Sequence, residues 1–393
     1  MQRAIILSGF LLALTCFLGC PPSNVATDGS DTNDSAEPPT HGHVETQKSG
    51  EQNQPLDDAQ AVAALEKTAS ELKRDGDGNV VEVSFRETDA GDEALEPLTK
   101  LPRLKSVLLN KTPVTDAGLK ILGQIETLEN LDLRGCATTN EGIAHLEGLS
   151  RLRGLKLSSR QAEDTSDLSG AASLVDDRGL ESIGKLTNLE VLALDNLFVT
   201  EIGLEELKGL TNLKELYLAG TSIGDEASPV IAGFAKLKTL RIAETNISDA
   251  ALEPLARLPA LEKLDISRCV SLTDAGMEQV GKLPQLKELN VWRIAGLTDA
   301  GVAHLAPLTK MQWLNLDNIL LTDEGLVHLK DMNDLTFLHL GSTGVTDAGL
   351  KYLEHLKKLE YLNVSRSGVT QAGVDELQKK LPDTEIVLRY ENE

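Results

Sequence analysis

Leucines recur along most of this chain in one frame, L-x-x-L-x-L, mostly at 24-residue intervals. The frame is met at Leu104, Val107 and Leu109, at Leu128, Leu131 and Leu133, and onward to Leu359, Leu362 and Val364. Its apolar-polar-apolar ending has the period of a strand with one buried face. One further step outward at each end finds Val83 with Phe85 and Ile386 with Leu388, which makes thirteen copies. Between the strands lies a second motif, as in Val114-Thr115-Asp116-Ala117-Gly118-Leu119 and Val345-Thr346-Asp347-Ala348-Gly349-Leu350. Its Thr is suited to cap a helix and its Asp to complement the positive end of the dipole, while Leu119 and Leu122 follow at helical spacing. Each unit therefore reads strand, turn, short helix. Alone it cannot bury its apolar side, but stacked neighbours join their leucines into one core. The expected fold class is α/β, a right-handed solenoid with a parallel sheet on one side and short helices on the other.

These residues resemble the leucine-rich-repeat superfamily, in particular its cysteine-containing and ribonuclease-inhibitor-like branches. The T-D-A-G-L units look like those of bacterial, planctomycete-type surface lipoproteins. The resemblance spans about residues 80–390 and implies a horseshoe whose parallel sheet lines the concave side. It implies recognition as the function without naming a ligand, because a fold shared this widely does not fix what is bound.

One interval breaks the period. Leu155 to Leu192 is 37 residues where 24 is usual, so thirteen extra residues, rich in Ser, Asp, Ala and Gly, fall near 158–173. Ahead of the repeats, residues 56–79 read as a capping helix and turn: Asp57 or Asp58 can start a helix running to about Leu72, with Val62, Leu65, Ala69 and Leu72 on one face. Asp75-Gly76-Asp77-Gly78-Asn79 has the look of a calcium loop, yet it lacks the required Gly and terminal Glu and reads as a plain turn.

Composition changes the picture mainly at the N-terminus. Arg3, the apolar run Ala4 to Leu18, and Gly19 before Cys20 form an export signal over residues 1–19. Phe17-Leu18-Gly19-Cys20 resembles a bacterial lipoprotein box, which implies lipidation at Cys20 and an exported chain anchored to a membrane of the cell envelope, periplasmic or surface-facing. Residues 20–55, nearly devoid of apolar side chains, read as a disordered tether in which His41 and His43 are incidental. The formal charge of −23 disfavours nucleic acid as a partner, since phosphate binding rests on Lys and Arg.

Candidate chemistry is sparse. Cys136 and Cys269 occupy equivalent positions five repeats apart, roughly 24 Å at strand spacing, so they cannot form a disulfide and read as buried thiols. No nucleophile elbow, metal-ligand motif or phosphate loop is found, so no enzyme, metal or cofactor is expected. The recurring Asp116, Asp225, Asp249, Asp274, Asp299, Asp323 and Asp347 are explained as helix-dipole partners. The polar strand positions say more. They place Tyr217, Arg241, Asp265, Arg268, Trp292, Arg293, Trp313, Asn315, Phe337, His339, Tyr361, Asn363 and Arg366 on the concave face, with Lys263 and Tyr390 beside them. Trp313, Phe337 and Tyr361 share one slot of successive repeats and should form a ladder, next to a second one of Asn290, Asn315, His339 and Asn363. Aromatics and Arg are the side chains that dominate binding hot spots. The expectation is a non-catalytic scaffold holding a protein or peptide ligand there. A glycan- or cell-wall-binding module is the alternative. The repeats also resemble those of F-box ubiquitin-ligase receptors, but no F-box is present.

Overall fold

The computed structural model describes residues 57–159 and 173–389. Cys20, His41, His43, most of the 158–173 insertion and Tyr390 lie outside the described residues. Fourteen strands form one open sheet in chain order: β1 (Glu71–Arg74), β2 (Val80–Ser84), β3 (Ser106–Leu108), β4 (Asn130–Asp132), β5 (Gly154–Ser158), β6 (Val191–Asp195), β7 (Glu215–Tyr217), β8 (Thr239–Arg241), β9 (Lys263–Asp265), β10 (Glu288–Asn290), β11 (Trp313–Asn315), β12 (Phe337–His339), β13 (Tyr361–Asn363) and β14 (Glu385–Val387). From β2 onward every pairing is parallel. Those strands fall on the thirteen repeats expected from the leucine frame. The solenoid of strands and short helices is therefore the observed fold.

The start of the described chain differs from expectation. Helix α1 (Ala59–Thr68) is capped by Asp58, whose Oδ1 accepts the Ala61 N–H at 2.8 Å, but it ends short of Leu72. Leu72 instead belongs to β1, which pairs antiparallel with β2 and covers the first edge of the sheet. Charged residues at both ends of β1 make it a poor template for further pairing. The Asp75 to Asn79 segment is a turn. Asp75 Oδ1 accepts the N–H groups of Asp77 and Asn79 at 3.0 Å each, and Arg103 pairs with Asp75 at 2.8 Å and Asp77 at 2.6 Å.

The core is almost wholly aliphatic. From β2 to β13 the apolar frame residue of the strand, such as Leu314, Leu338 or Leu362, points to the helices and is buried, as is the apolar residue two places on. The largest buried side chains include two phenylalanines, Phe85 and Phe234, and no Trp. Cys136 and Cys269 are buried and free. Their thiols donate to Leu109 O at 3.1 Å and Ile242 O at 3.2 Å. Thr112, Thr221, Thr245 and Thr343 hold the same place in other repeats, each donating to the carbonyl three residues back. Cys thus stands in for Thr in an internal polar column, and burial pushes both thiols up in pKa.

The T-D-A-G motif has a cause that the sequence did not reveal. Thr139 caps its own helix by accepting the Glu141 N–H, while its N–H and hydroxyl donate to Asp116 of the preceding repeat at 2.8 and 2.6 Å. The same two bonds join Asp249 to Thr273, Asp274 to Thr298, Asp299 to Thr322, Asp323 to Thr346 and Asp347 to Thr370. Helix-dipole complementation therefore accounts for only part of the aspartate ladder: each carboxylate is bound by the cap of the next helix. The motif's Gly leaves room for it, since a Cβ on Gly301 would lie 2.3 Å from Asp274 Oδ1 and one on Gly349 2.3 Å from Asp323 Oδ1. Ala251 fills the equivalent position in one repeat, where Asp225 still bonds Ser248, so a methyl group there can be accommodated by adjustment. The ladder is interrupted where Glu201 replaces Asp and Gly224 replaces Thr.

Removing one such carboxylate strands two donors. Asp299→Ala is expected to cost about 1.5–3 kcal/mol, the range for hydrogen bonds to charged groups. Glu201→Ala, at the interrupted step, should stay within about 0.5 kcal/mol of the parent. Urea titration of both variants tests this, and an Asp299→Ala midpoint equal to that of the parent would remove the proposed role.

Candidate functional site

With the central strand residue committed to the core, its two neighbours face away from the helices, and parallel register aligns them into columns. Trp313, Phe337 and Tyr361 are register partners, as are Asn315, His339 and Asn363. The ring centroids of Trp313 and Phe337 are 4.7 Å apart with planes inclined by 9°, and those of Phe337 and Tyr361 are 5.0 Å apart at 5°. These separations are close to the strand spacing, so the rings stack along the sheet and turn their edges to the open side. The ladder expected from the sequence is present.

The second column has a structural task. The Oδ1 atoms of Asp265, Asn290, Asn315 and Asn363 accept the N–H two residues on, at 3.1, 3.1, 3.0 and 2.9 Å. His339 does the same through Nδ1, at 3.2 Å from Gly341 N. These local bonds end the strand in a turn. The residue that follows takes a left-handed conformation: Arg268 has φ 58°, Arg293 57° and Arg366 53°. The three arginines grouped with the strand positions therefore sit in these turns, not on strands. Arg268 lies 5.7 Å over the Trp292 ring and pairs with Glu244 at 2.8 Å. Asp265 and Asn363 are 2% and 0% exposed. They support the face from beneath and do not line it.

Charges on this face are mostly paired with one another. Lys263 meets Glu288 at 2.7 Å, and Arg241 lies between Asp195 at 3.4 Å and Asp265 at 3.3 Å. Cross-strand pairs of this kind set the basic residues of the face against acidic ones. Burial raises the pKa of Asp195, Asp265 and Asp317 despite the arginines beside the first two. Tyr217, whose hydroxyl donates to Glu215 at 2.7 Å, is raised first by burial and then by that carboxylate.

Sequence reasoning concentrated on the aromatic half and missed a polar centre across β4 to β8. Asp132, with 4% side-chain exposure, receives Arg134 through Nε at 2.9 Å and Nη2 at 2.7 Å, with Arg86 at 4.0 Å. Lys156 is its register partner on β5. The available signal was a charged residue between two leucines in the strand frame, at Leu131-Asp132-Leu133 and Leu155-Lys156-Leu157. A separate hollow of about 500 Å³ at the sheet's rim is lined by Glu129, Arg153 and Glu190, where Glu190 already pairs with Arg153 and with Lys214. Among the described residues no cluster of His, Cys, Asp and Glu is arranged to hold a metal, and no helix is long and apolar enough to cross a membrane.

His339 offers a test of the geometry. With Nδ1 accepting a hydrogen bond, its proton is on Nε2, and burial lowers its pKa from 6.5 to about 4. The unfolded chain therefore takes up this proton first. The contribution to stability is full above pH 6.5, declines as the pH falls toward 4 and is lost below it, a change of about 3 kcal/mol. His339→Asn, which copies Asn315 and Asn363, should flatten the stability difference between pH 7 and pH 4.5 by most of that amount. Identical pH dependence in parent and variant would contradict the assigned tautomer and burial.

Comparisons with known proteins agree with this architecture. A family model described as Leucine Rich repeat matches residues 332–353. No curated protein matches the sequence. Among solved structures, an internalin from Listeria monocytogenes is similar at 21% identity and a TM-score of 0.58, covering 84% of this chain and 94% of that one. A leucine-rich-repeat protein of Leptospira interrogans is similar at 19% identity and a TM-score of 0.43, covering 74% and 80%. The plant peptide hormone receptor RGFR1, solved in complex with RGF2, aligns at 17% identity and a TM-score of 0.43, covering 81% and 59%. The fold is a leucine-rich-repeat solenoid, and residues 332–353 match the repeat model.

Proposed function

We propose that this leucine-rich-repeat solenoid is a non-catalytic recognition scaffold that holds a protein or peptide ligand on the open face of its sheet. The observation that carries the reading is the placement of its aromatics. In a chain with 3% aromatic residues, Trp292, Trp313, Phe337 and Tyr361 are only partly buried on one face, while the core is aliphatic. An interior built of leucine gains nothing from exposing Trp, whereas a binding surface gains large contact area at small entropic cost. A glycan platform requires open ring faces. Here the ladder's inner faces cover one another and Arg268 lies over Trp292, which favours a peptide or protein over sugar.

The N-terminal sequence supports a further part of the reading: export, with Cys20 lipidated and residues 20–55 tethering the scaffold to an envelope membrane. The Cys136 and Cys269 column and the T-D-A-G-L units support kinship with the cysteine-containing branch and with planctomycete-type surface lipoproteins.

Two experiments test these statements. A Trp313→Ala, Phe337→Ala, Tyr361→Ala variant should lose partner capture from cell-envelope extracts, with at least about 2 kcal/mol of affinity, roughly thirtyfold, removed. Equal recovery by a folded variant would discard the ladder as the binding surface. Cys20→Ser should move the expressed protein from the detergent phase to the aqueous phase on detergent partitioning, and an unchanged distribution would exclude the lipid anchor.

A further inference from the structure

The polar centre on β4 to β8 contains a cation that none of its described neighbours pairs with directly. Lys156 is half-buried on the open face, yet among the described residues its ammonium has no hydrogen bond and no ion pair. The carboxylates around it are engaged elsewhere. Asp132 is bound by two nitrogens of Arg134. Asp195 accepts the Ala219 N–H at 2.8 Å and pairs with Arg241 at 3.4 Å. Glu215 accepts the Tyr217 hydroxyl at 2.7 Å. Burial, the largest effect, lowers the pKa of the ammonium; Asp132 and Glu215 favour the charged form from a distance, and Arg134 and Arg86 disfavour it. A lysine can relieve such desolvation by turning to solvent or by receiving an anion. The next residue in its column, Ala193, is buried and brings no polar group to pair with it. Arg134 favours the anion: it commits Nε and Nη2 to Asp132, its Nη1 makes no hydrogen bond, and it stands as a second cationic donor in the turn that follows β4.

We infer that Lys156, assisted by Arg134, receives a carboxylate of the ligand, so that the partner presents an acidic side chain to the centre of the sheet. The inference rests on the reading of the open face as the binding surface and adds a chemical class to it. A monoanion fits better than phosphate, because Asp132, Asp195 and Glu215 stand around Lys156 and Arg134 and repel a dianion more strongly.

The test is competitive labelling of the intact chain. Lysines are acylated at trace level at pH 7.5, and the rate at Lys156 is compared by mass spectrometry with that at exposed Lys120. Acetyl-Gly-Glu-Gly-amide at tens of millimolar should slow Lys156 at least twofold relative to Lys120, and acetyl-Gly-Gln-Gly-amide should not. Inorganic phosphate at matched ionic strength should protect less than the Glu peptide. Equal effects of the Glu and Gln peptides, or no protection by either, would overturn the inference, and stronger protection by phosphate would replace the carboxylate with a dianion. The aromatic-ladder variant leaves Lys156 untouched. Loss of partner capture in that variant without Glu-specific protection in the parent would therefore sink the carboxylate assignment alone, and the converse would sink the ladder alone.

Discussion

The carboxylate that reaches from one repeat into the helix cap of the next is the interaction on which the rest of this architecture depends. Apolar burial supplies most of the driving force for stacking, but it is non-directional, and a column of leucines tolerates sliding. The Asp-to-Thr pair does not. Its two oxygens meet a backbone N–H and a hydroxyl that occur together once per repeat, so a slip of one residue would leave a partly buried carboxylate facing neither. Where the pair is absent, at Glu201 and Gly224, alignment falls to the parallel pairing of β6 with β7, to the leucines and to bonds such as that from Ser222 N–H to Val199 O at 2.9 Å.

Register fixed in this way determines what the open face can display. Because equivalent residues fall side by side at strand spacing, any side chain repeated in one slot meets its own kind next door. Repeated aromatics stack, and repeated Asn or His residues each close the same strand-ending turn. Charges alternate into pairs. The face thereby divides into an aromatic half around β11 to β13 and an ionic half around β4 to β8. In the ionic half most charges are satisfied internally, which keeps a desolvated network from being a liability and leaves Lys156 as the exception.

Much of this was legible in sequence because it depends on periodicity alone. The thirteen parallel strands, the helix caps, the buried thiols and the aromatic ladder all follow from position within a repeat. The parts that were not legible depend on contacts between repeats or on conformation. A helix cap and its Asp can be recognised locally, but the partner of that Asp lies about two dozen residues away, and nothing in one repeat announces it. The arginines at 268, 293 and 366 follow the strand frame in sequence, yet each is itself the left-handed residue at which the backbone turns. Leu72 fits a helical face as well as a strand. Its place in β1 is decided by pairing with Val83, a tertiary effect that local pattern cannot rank.

The stacked rings also bear on how a ligand would be held. Trp313, Phe337 and Tyr361 are already ordered against one another, so little side-chain freedom remains to be lost on association, and affinity is not reduced by the cost of organising them. What they present is edge, the positive rim of each quadrupole, in a line one strand apart. Such a line suits groups that carry partial negative charge or none, such as peptide carbonyls and aliphatic side chains. Beside it, Nδ1 of His339 commits its one lone pair to a backbone N–H, while Oδ1 of Asn315, held in the same way, keeps a second lone pair. Ring edges and the Lys156 ammonium favour a ligand that brings acceptors of its own. An extended polypeptide has a carbonyl at every residue, and that supply matches the chemistry of this surface better than hydroxyl-rich sugar does.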